Sequence, residues 1–293
     1  MLNKYLMTNP NENSDYHMNT TGHTMSSYDW LDIHFLAMQP EYEDMLRWAG
    51  IQPDWHVLDA ACGGGSFLPL MTELVGRKGK VSAMDIDPKN IGAIDERAKK
   101  SNWSAPVFAR VGTILELPYE NQSFDAVWCA NTSQYLTDDE VHQMLKEFRR
   151  VTRPGGLIAI KDYDATGQQF QPCPPTLISH LNEGLARAGN IQHHGILMVI
   201  LLSAWLRAAG LVEIRQKPTL MLRFQPLKPV EKAFLRDFIR FFCKQAQTID
   251  LPAEELRIWE QLADVDLPEH ILNHPDFQYR AIQTVFTGRA PKG

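Results

Sequence analysis

Residues 57–66 read Val-Leu-Asp-Ala-Ala-Cys-Gly-Gly-Gly-Ser and connect a short apolar segment to three consecutive glycines. The apolar segment is typical of a buried strand, and Asp59 stands near its end. A strand, a glycine-rich turn and a helix in this order bring bare backbone and helix N-terminal amides against an anionic or dipolar ligand. The stretch therefore predicts that a nucleotide-like cofactor lies at this turn.

The sequence around this turn alternates between strand and helix patterns. Strand patterns occupy residues 56–60, 79–86, 106–112, 124–131 and 155–163, and helix patterns occupy residues 67–75, 90–101 and 138–152. Two more helix patterns precede the first strand, and a mostly helical insertion at about residues 229–275 precedes the last one. This order predicts an α/β fold with a Rossmann-like, doubly wound, mainly parallel sheet and an antiparallel final strand.

Composition and charge exclude several classes of partner. The chain has 293 residues and a formal net charge of -6, and its largest basic cluster is Arg149-Arg150 with Lys146 nearby. We expect no nucleic-acid partner, because binding a phosphate backbone requires a basic surface. The longest apolar run, residues 196–206, is shorter than the roughly 20 residues that cross a bilayer, so we also expect no membrane span.

The cysteines and the N-terminal sequence indicate the compartment. The four cysteines are far apart and form no CxxC pair, which argues against a disulfide framework and against a metal site. The N-terminus has no continuous apolar segment of the kind found in secretory signals. We therefore expect a cytoplasmic protein with reduced thiols and no metal.

Two cofactor classes compete for the glycine turn. A dinucleotide fingerprint requires G-x-G-x-x-G, and here its third glycine position falls on Leu68. Four motifs in order instead resemble those of class I S-adenosylmethionine-dependent methyltransferases, in the ubiquinone/menaquinone and secondary-metabolite small-molecule branch. They are DAACGGG at 59–65, GKVSAMDIDP at 79–88, VGTILELPYENQSFDAV at 111–127 and EFRRVTRPGGLIAI at 147–160. Ala61 and Thr113 depart from the usual glycine and aspartate of that family.

The resemblance implies a set of residues that bind S-adenosylmethionine, which leaves as S-adenosylhomocysteine. In that layout the glycine turn lines the methionine part, Asp59 and Asn131 lie near its amino group, and Asp85 holds the ribose. The adenine lies between the residue that follows the second strand and the residues of the loop after the third strand. The implied cofactor residues are Asp59, Ala61, Gly63, Gly65, Asp85, Ile86, Thr113, Ile114 and Asn131.

The acceptor is expected to enter over the carboxyl ends of the strands. Polar and aromatic residues that follow the fourth and fifth strands, or that begin a later helix, are the candidates to face it. The catalytic candidates are Asp162, Tyr163 and His193, and the substrate-binding candidates are Tyr28, Gln134, Tyr135 and His194. The aromatic residues of the insertion favour a hydrophobic small molecule as the acceptor.

The resemblance implies an enzyme that transfers a methyl group by in-line displacement to an O, N or C acceptor in secondary metabolism. A cyclase or another non-methylating enzyme that binds S-adenosylmethionine is the alternative on the same fold, and an NAD-dependent oxidoreductase is a further one. We expect a mobile segment or lid at 1–26, which includes Tyr16, and a methyltransferase domain at 27–293. The insertion and the N-terminal segment are candidates for a homo-oligomer contact.

Overall fold

A computed structural model describes residues 28–292, with side chains described from Trp30 onward. Within this range the helices are α1 Tyr28–Ala37, α2 Gln39–Ala49, α3 Leu68–Val75, α4 Pro88–Lys100, α5 Asp138–Val151, α6 Leu177–Arg187, α7 Ile191–Met198, α8 Leu202–Ala208, α9 Pro229–Ala246 and α10 Ala253–Ala263. The strands are β1 His56–Ala60, β2 Lys80–Asp85, β3 Val107–Val111, β4 Phe124–Ala130, β5 Thr152–Gln171, β6 Val212–Phe224 and β7 Gln278–Arg289. The N-terminal segment at 1–26 lies outside the described residues.

The described strands form one seven-stranded sheet in the order β3-β2-β1-β4-β5-β7-β6. Neighbouring strands from β3 to β5 are parallel, whereas β7 runs antiparallel to both β5 and β6. This confirms the predicted Rossmann-like α/β fold with an antiparallel final strand. The crossover between parallel strands requires the helices that the sequence pattern places there.

Burial explains why the central strands read as nearly continuous apolar runs. Val57 and Leu58 of β1 point to opposite faces of the sheet, and both are 0 % exposed. One face packs against α2, α3 and α9, and the other packs against α5 and α8. A parallel sheet that is covered on both faces gives no alternation of apolar and polar residues.

Strand β5 is the largest difference from the predicted elements. The sequence pattern ends at Tyr163, but β5 continues to Gln171. Its extension pairs with β7 across a shift in register between Asp164 and Gln169. Pairing with a strand that is distant in sequence therefore sets the length of β5, and a local apolar pattern does not report such pairing.

One helical stretch of 18 residues, Ile191–Ala208, is long and apolar enough by length and composition to cross a membrane, and 28 % of it is buried. It is longer than the predicted apolar run because α7, a 3-10 turn at Val199–Leu201 and α8 follow one another without a break. Its buried residues Val199, Leu202 and Leu206 pack into the core on the α5 side of the sheet.

A buried arginine joins the N-terminal helices to the insertion. Arg223 of β6 donates to both carboxylate oxygens of Glu41 at 2.7 Å and to the Ala37 carbonyl at 2.7 and 2.9 Å. Its Nε also lies 3.3 Å from a carboxylate oxygen of Glu231 in α9. One guanidinium therefore connects α1, α2, β6 and α9 through charge-assisted hydrogen bonds.

We expect Arg223→Met to lower the free energy of unfolding by about 3 kcal/mol, because it leaves two partly buried carboxylates without their partner. Equilibrium urea unfolding measures this loss. Arg215→Met is the matched control on the same strand, since Arg215 is exposed and lies over the Trp48 ring at 4.7 Å from its centroid. The control should cost about 1 kcal/mol or less. Equal losses in the two variants would contradict the role given to Arg223.

Candidate functional site

A cavity of about 510 Å³ lies at the carboxyl ends of β1 to β4, where parallel α/β sheets bind ligands. All of the cofactor residues implied by the sequence, with the exception of Gly65, line it. Residues of α1, α2, α7, α9 and β7 complete its wall. The cavity therefore has one side made by the sheet edge and another made by helices that are distant in sequence.

The glycine turn after β1 is tight for reasons of packing as well as ligand access. Ala61, Gly63 and Gly65 have φ values of 57°, 52° and 80°, in the region that glycine adopts at least cost. A Cβ on Gly63 would lie 2.9 Å from Leu31 of α1, and a Cβ on Gly65 would lie 2.7 Å from Leu68. Gly65 thus allows the turn to pack against α3, whereas Gly63 faces both α1 and the cavity.

Asp85 at the end of β2 organises this turn. Its carboxylate accepts hydrogen bonds from the Gly63 amide at 2.8 Å, the Asp87 amide at 2.9 Å and the Asn90 side chain at 3.0 Å. A carboxylate offers about four lone-pair sites, so one remains for a hydroxyl in the cavity. The arrangement can hold one hydroxyl of a sugar without losing the bonds that shape the turn.

Asp59 is the most strongly perturbed acid of the cavity. It is 1 % exposed, and among the described residues its Oδ2 has no hydrogen-bond partner. Burial, together with the charge of Asp85, raises the pKa of Asp59 from its usual 3.8 to about 8. A buried acid beside a second acid is stabilised by a cationic group brought into the cavity.

The opposite rim of the sheet side is formed by Ile86, which follows β2, and by the loop after β3, which contains Thr113 and Ile114. Ile86 is 43 % exposed and lines the cavity, which leaves an apolar surface for a flat ring to cover. The Thr113 hydroxyl oxygen accepts from the Leu115 amide at 3.3 Å, so it is partly used within its own turn. Ile114 lies beside it and is 8 % exposed.

A buried lysine orients Asn131, which has a positive φ of 54° at the end of β4. Lys161 Nζ donates to Asn131 Oδ1 at 2.6 Å, and the Asn131 amide donates to the Lys161 carbonyl at 2.7 Å. Lys161 Nζ lies 3.6 Å from the centre of the Tyr42 ring. Burial lowers the pKa of Lys161 well below its usual range, although Asp162 opposes this. With its oxygen occupied, Asn131 offers its NH₂ group to the cavity.

Aromatic side chains form the helical side of the cavity. Trp30 lies 5.5 Å from Phe234 between ring centroids, and Phe234 lies 5.1 Å from Phe238. His34 stacks on Phe234 at 5.2 Å and its Nε2 lies 2.8 Å from the Tyr42 hydroxyl. Burial, with Lys161 nearby, lowers the pKa of His34 to about 3. The wall therefore carries no charge on His34 at neutral pH.

In the sequence, the aromatic residues of the insertion favour a hydrophobic acceptor, but the sequence pattern did not identify which residues form this wall. Its lining members are Trp30, His34, Phe35, Tyr42, Phe234, Phe238, Phe241, Phe242 and Tyr279. The spacing of the four phenylalanines along α9 is an available signal, since residues three or four apart share a helix face. The pattern alone does not distinguish a cavity wall from ordinary core, because both bury the same face.

The structure separates the acceptor-side candidates into two groups. Tyr163, Gln134, Tyr135 and His193 line the cavity. Asp162 does not line it: it is 0 % exposed and accepts from the Ser133 hydroxyl at 2.5 Å and the Tyr163 amide at 2.9 Å. The placement of Asp162 against the acceptor is therefore corrected, because its carboxylate holds the turn after β4.

Two substrate candidates also lie elsewhere. His194 Nε2 lies 3.2 Å from Asp138 in a small surface cleft beside the cavity, so the expectation that His194 faces the acceptor is corrected as well. Its neighbour His193 points into the cavity because successive helix residues differ by about 100° in direction. The side chain of Tyr28, like all of Tyr16, lies outside the described part of the chain.

The model of a protein family described as "Methyltransferase domain" matches residues 57–156 of this chain. This segment builds the sheet side of the cavity. The chain contains a methyltransferase domain. This match, together with the four motifs and the Rossmann-like fold, supports a class I S-adenosylmethionine-dependent methyltransferase domain with S-adenosylmethionine as its cofactor. The unpartnered acid at Asp59, the single free site on Asp85 and the apolar rim at Ile86 fit the ammonium, ribose and adenine of that molecule.

Curated relatives share the methyltransferase domain. Demethylmenaquinone methyltransferase of Alkalihalophilus pseudofirmus is 32% identical over 137 residues, which cover 45% of this chain and 55% of the relative. The 2-phytyl-1,4-naphtoquinone methyltransferase of Trichormus variabilis is 30% identical over 146 residues, which cover 49% of this chain and 61% of the relative. The chain thus spans little more than half the length of either relative.

A solved structure extends the likeness in fold beyond the domain motifs. The YcgJ protein from Bacillus subtilis superposes with a TM-score of 0.55 over 85% of this chain and 97% of that chain, at 16% sequence identity. At this identity the likeness concerns the fold alone. It covers more of the chain than the motifs at 59–160 do.

We expect Asp85→Asn to raise the dissociation constant for S-adenosylmethionine at least about tenfold, or 1.4 kcal/mol. In either orientation the new NH₂ group would face a backbone N–H that the carboxylate now accepts from, that of Gly63 or that of Asp87, and it would reduce the acceptor capacity left for the ribose hydroxyl. Isothermal titration calorimetry measures the change. Asp87→Asn is the control, because Asp87 caps α4 and asparagine caps a helix equally well. An unchanged constant in Asp85→Asn would contradict the ribose assignment.

We expect Asp59→Asn to change how stability depends on pH. The folded pKa of Asp59 lies above its usual 3.8, so the wild type loses stability as the pH rises from about 4 to about 8. Without this ionisation, the variant gains at least about 1 kcal/mol relative to wild type between pH 5 and pH 8. Chemical unfolding of both proteins at the two pH values measures the gain, and parallel pH dependences would contradict it.

Proposed function

We propose that this protein transfers the methyl group of S-adenosylmethionine to an apolar aromatic small molecule. The observation that carries the proposal is the continuity of the cavity, which joins the polar sheet edge to the aromatic helical wall. Methyl transfer by in-line displacement needs both surfaces next to each other, since the cofactor is polar and the nucleophile must be desolvated.

On the sheet side, the residues of this chain bind and orient the cofactor. Asp59 and the NH₂ group of Asn131 would hold the amino acid part, Asp85 would accept from a ribose hydroxyl, and Ile86 would cover the adenine. When bound, S-adenosylmethionine supplies a methyl group activated by a sulfonium. Lys161 holds Asn131 in place, and the neutral aromatic wall excludes water from the methyl carbon.

On the helical side, the wall selects a flat apolar acceptor. Aromatic rings favour offset or edge-to-face contacts with another ring, and this wall presents rings from α1, α9 and β7. The curated relatives are named for methylation of demethylmenaquinone and of a phytyl naphthoquinone, and both acceptors carry fused rings. We therefore propose a quinone-type or related fused aromatic acceptor.

The alternative of an NAD-dependent oxidoreductase, which would bind a dinucleotide at the glycine turn, has little structural support. Leu68 occupies the position of its third glycine and packs against the place where a Cβ on Gly65 would be. A non-methylating enzyme that binds S-adenosylmethionine would use the same sheet side, so only an assay that follows the methyl group separates it from a methyltransferase.

The proposal is tested with methyl-labelled S-adenosylmethionine and a panel of naphthols and reduced naphthoquinones. We expect label in the organic-soluble product and a methylated mass for at least one compound. A parallel incubation uses a cell extract as the source of acceptor, separated into organic, protein and nucleic-acid fractions. Label only in protein or nucleic acid would overturn the acceptor class, and the absence of label in every fraction would favour the non-methylating alternative.

We expect Phe238→Ala to raise KM for the aromatic acceptor about tenfold or more, because it removes one ring from the wall. The dissociation constant for S-adenosylmethionine should stay within about twofold of wild type, since Phe238 lies on the helical side. Phe224→Ala is the control: this phenylalanine on β6 is 60 % exposed and does not line the cavity. Equal effects on acceptor and cofactor would contradict the division of the cavity.

A further inference from the structure

His193 is brought to the end of β4 by an unusually close packing of α7. A Cβ on Gly195 would lie 2.3 Å from the Gln134 carbonyl oxygen and 2.6 Å from its Cα. Only glycine therefore allows α7 to lie against the 3-10 turn at Ser133–Tyr135. His193 is two residues earlier on the same helix, and it lines the cavity together with Gln134.

Hydrogen bonds hold the imidazole of His193 in one orientation. Its Nδ1 lies 3.0 Å from Oδ1 of Asn182, a residue of α6 that is 0 % exposed. Since the amide oxygen is an acceptor, Nδ1 carries the proton and Nε2 carries the lone pair. The His193 amide also donates to the Asn190 side chain at 3.2 Å, which caps α7.

The other ring nitrogen is left without a partner. His193 is 1 % exposed, and among residues 30–292 no group forms a hydrogen bond with its Nε2. Burial lowers the pKa of His193 to about 4, so the ring is neutral at neutral pH. A buried acceptor without a donor is costly, and a ligand that supplies the donor removes this cost.

We propose that His193 Nε2 selects an acceptor that carries a ring hydroxyl, by accepting a hydrogen bond from that hydroxyl, and that Asn182 is the positioning residue for His193. The inference rests on the proposed function and names its substrate class: hydroxylated aromatic compounds, as opposed to their methyl ethers. A methyl ether of the same ring fits the same wall but leaves Nε2 unpaired. The site therefore disfavours ligands whose hydroxyl is already methylated.

The test compares the binding of 1-naphthol and 1-methoxynaphthalene to the protein saturated with S-adenosylhomocysteine. We expect wild type to bind 1-naphthol about five- to tenfold more tightly, which is the effect of one hydrogen bond and of one unpaired acceptor. In His193→Phe the ratio of the two constants should fall to about one. His194→Phe is the matched control, since His194 lies outside the cavity, and it should keep the wild-type ratio.

One further variant tests the positioning role of Asn182. Asn182→Leu removes the acceptor for Nδ1, so the imidazole can change its tautomer and orientation, and the ratio should fall. A role in folding alone would weaken the binding of both probes and leave their ratio unchanged. The ratio compares two probes that bind to the same variant, so a general loss of stability affects both dissociation constants and leaves the ratio unchanged.

A wild-type ratio near one, or a ratio that His193→Phe does not change, would overturn the inference. The absence of binding of either probe would also overturn it, since the aromatic acceptor class would then be wrong. Failure of the proposed function is distinguishable: a preserved ratio without methyl transfer in the label assay overturns methyl transfer alone. Methyl transfer with a ratio of one overturns only the selection by His193.

Discussion

The hydrogen bond from the Gly63 amide to Asp85 connects the turn after β1 to the end of β2, and the shape of the cavity depends on it. Because β1 and β2 are parallel and Asp59 lies opposite Ala83, Asp85 stands two residues beyond the partner of Asp59, on the same face and at the same edge of the sheet. Two ionised carboxylates that are buried close together repel each other, unless one of them takes up a proton or a cation binds between them. The same backbone constraint that opens the cavity therefore also gives it affinity for a positively charged group.

The helical side of the cavity depends on a different set of forces. Arg223 joins α1, α2 and α9 through buried charged hydrogen bonds. Aromatic rings of α1 and α9 also contact each other, as Trp30 and Phe234 do. The sheet side is polar and built from one continuous segment of chain, whereas the helical side is apolar and assembled from distant segments. The proposed displacement reaction between a charged cofactor and an apolar acceptor would use both surfaces.

The parallel part of the fold and the sheet side of the site were predictable because their signals are local. Strand β1 lies where the pattern placed it, and Asp59, Asp85 and Asn131 line the cavity. The acceptor side was predicted less well. Asp162 and His194 were expected there, but Asp162 bonds to the turn after β4 and His194 faces Asp138. Their side-chain directions depend on partners that the local pattern does not contain.

The sequence by itself determined the order of elements, the glycine turn and the acids at the strand ends, because strand period, turn chemistry and spacing act within a few residues. Only the tertiary structure decided which aromatic residues wall the cavity and which of two adjacent histidines enters it. Trp30, Phe234 and Tyr279 are far apart in the chain, and their meeting depends on how α1 and α9 pack on the sheet. His193 faces inward because α7 approaches Gln134 so closely. The helical period shows which residues share a face, but the packing of the helix decides which face meets its neighbour.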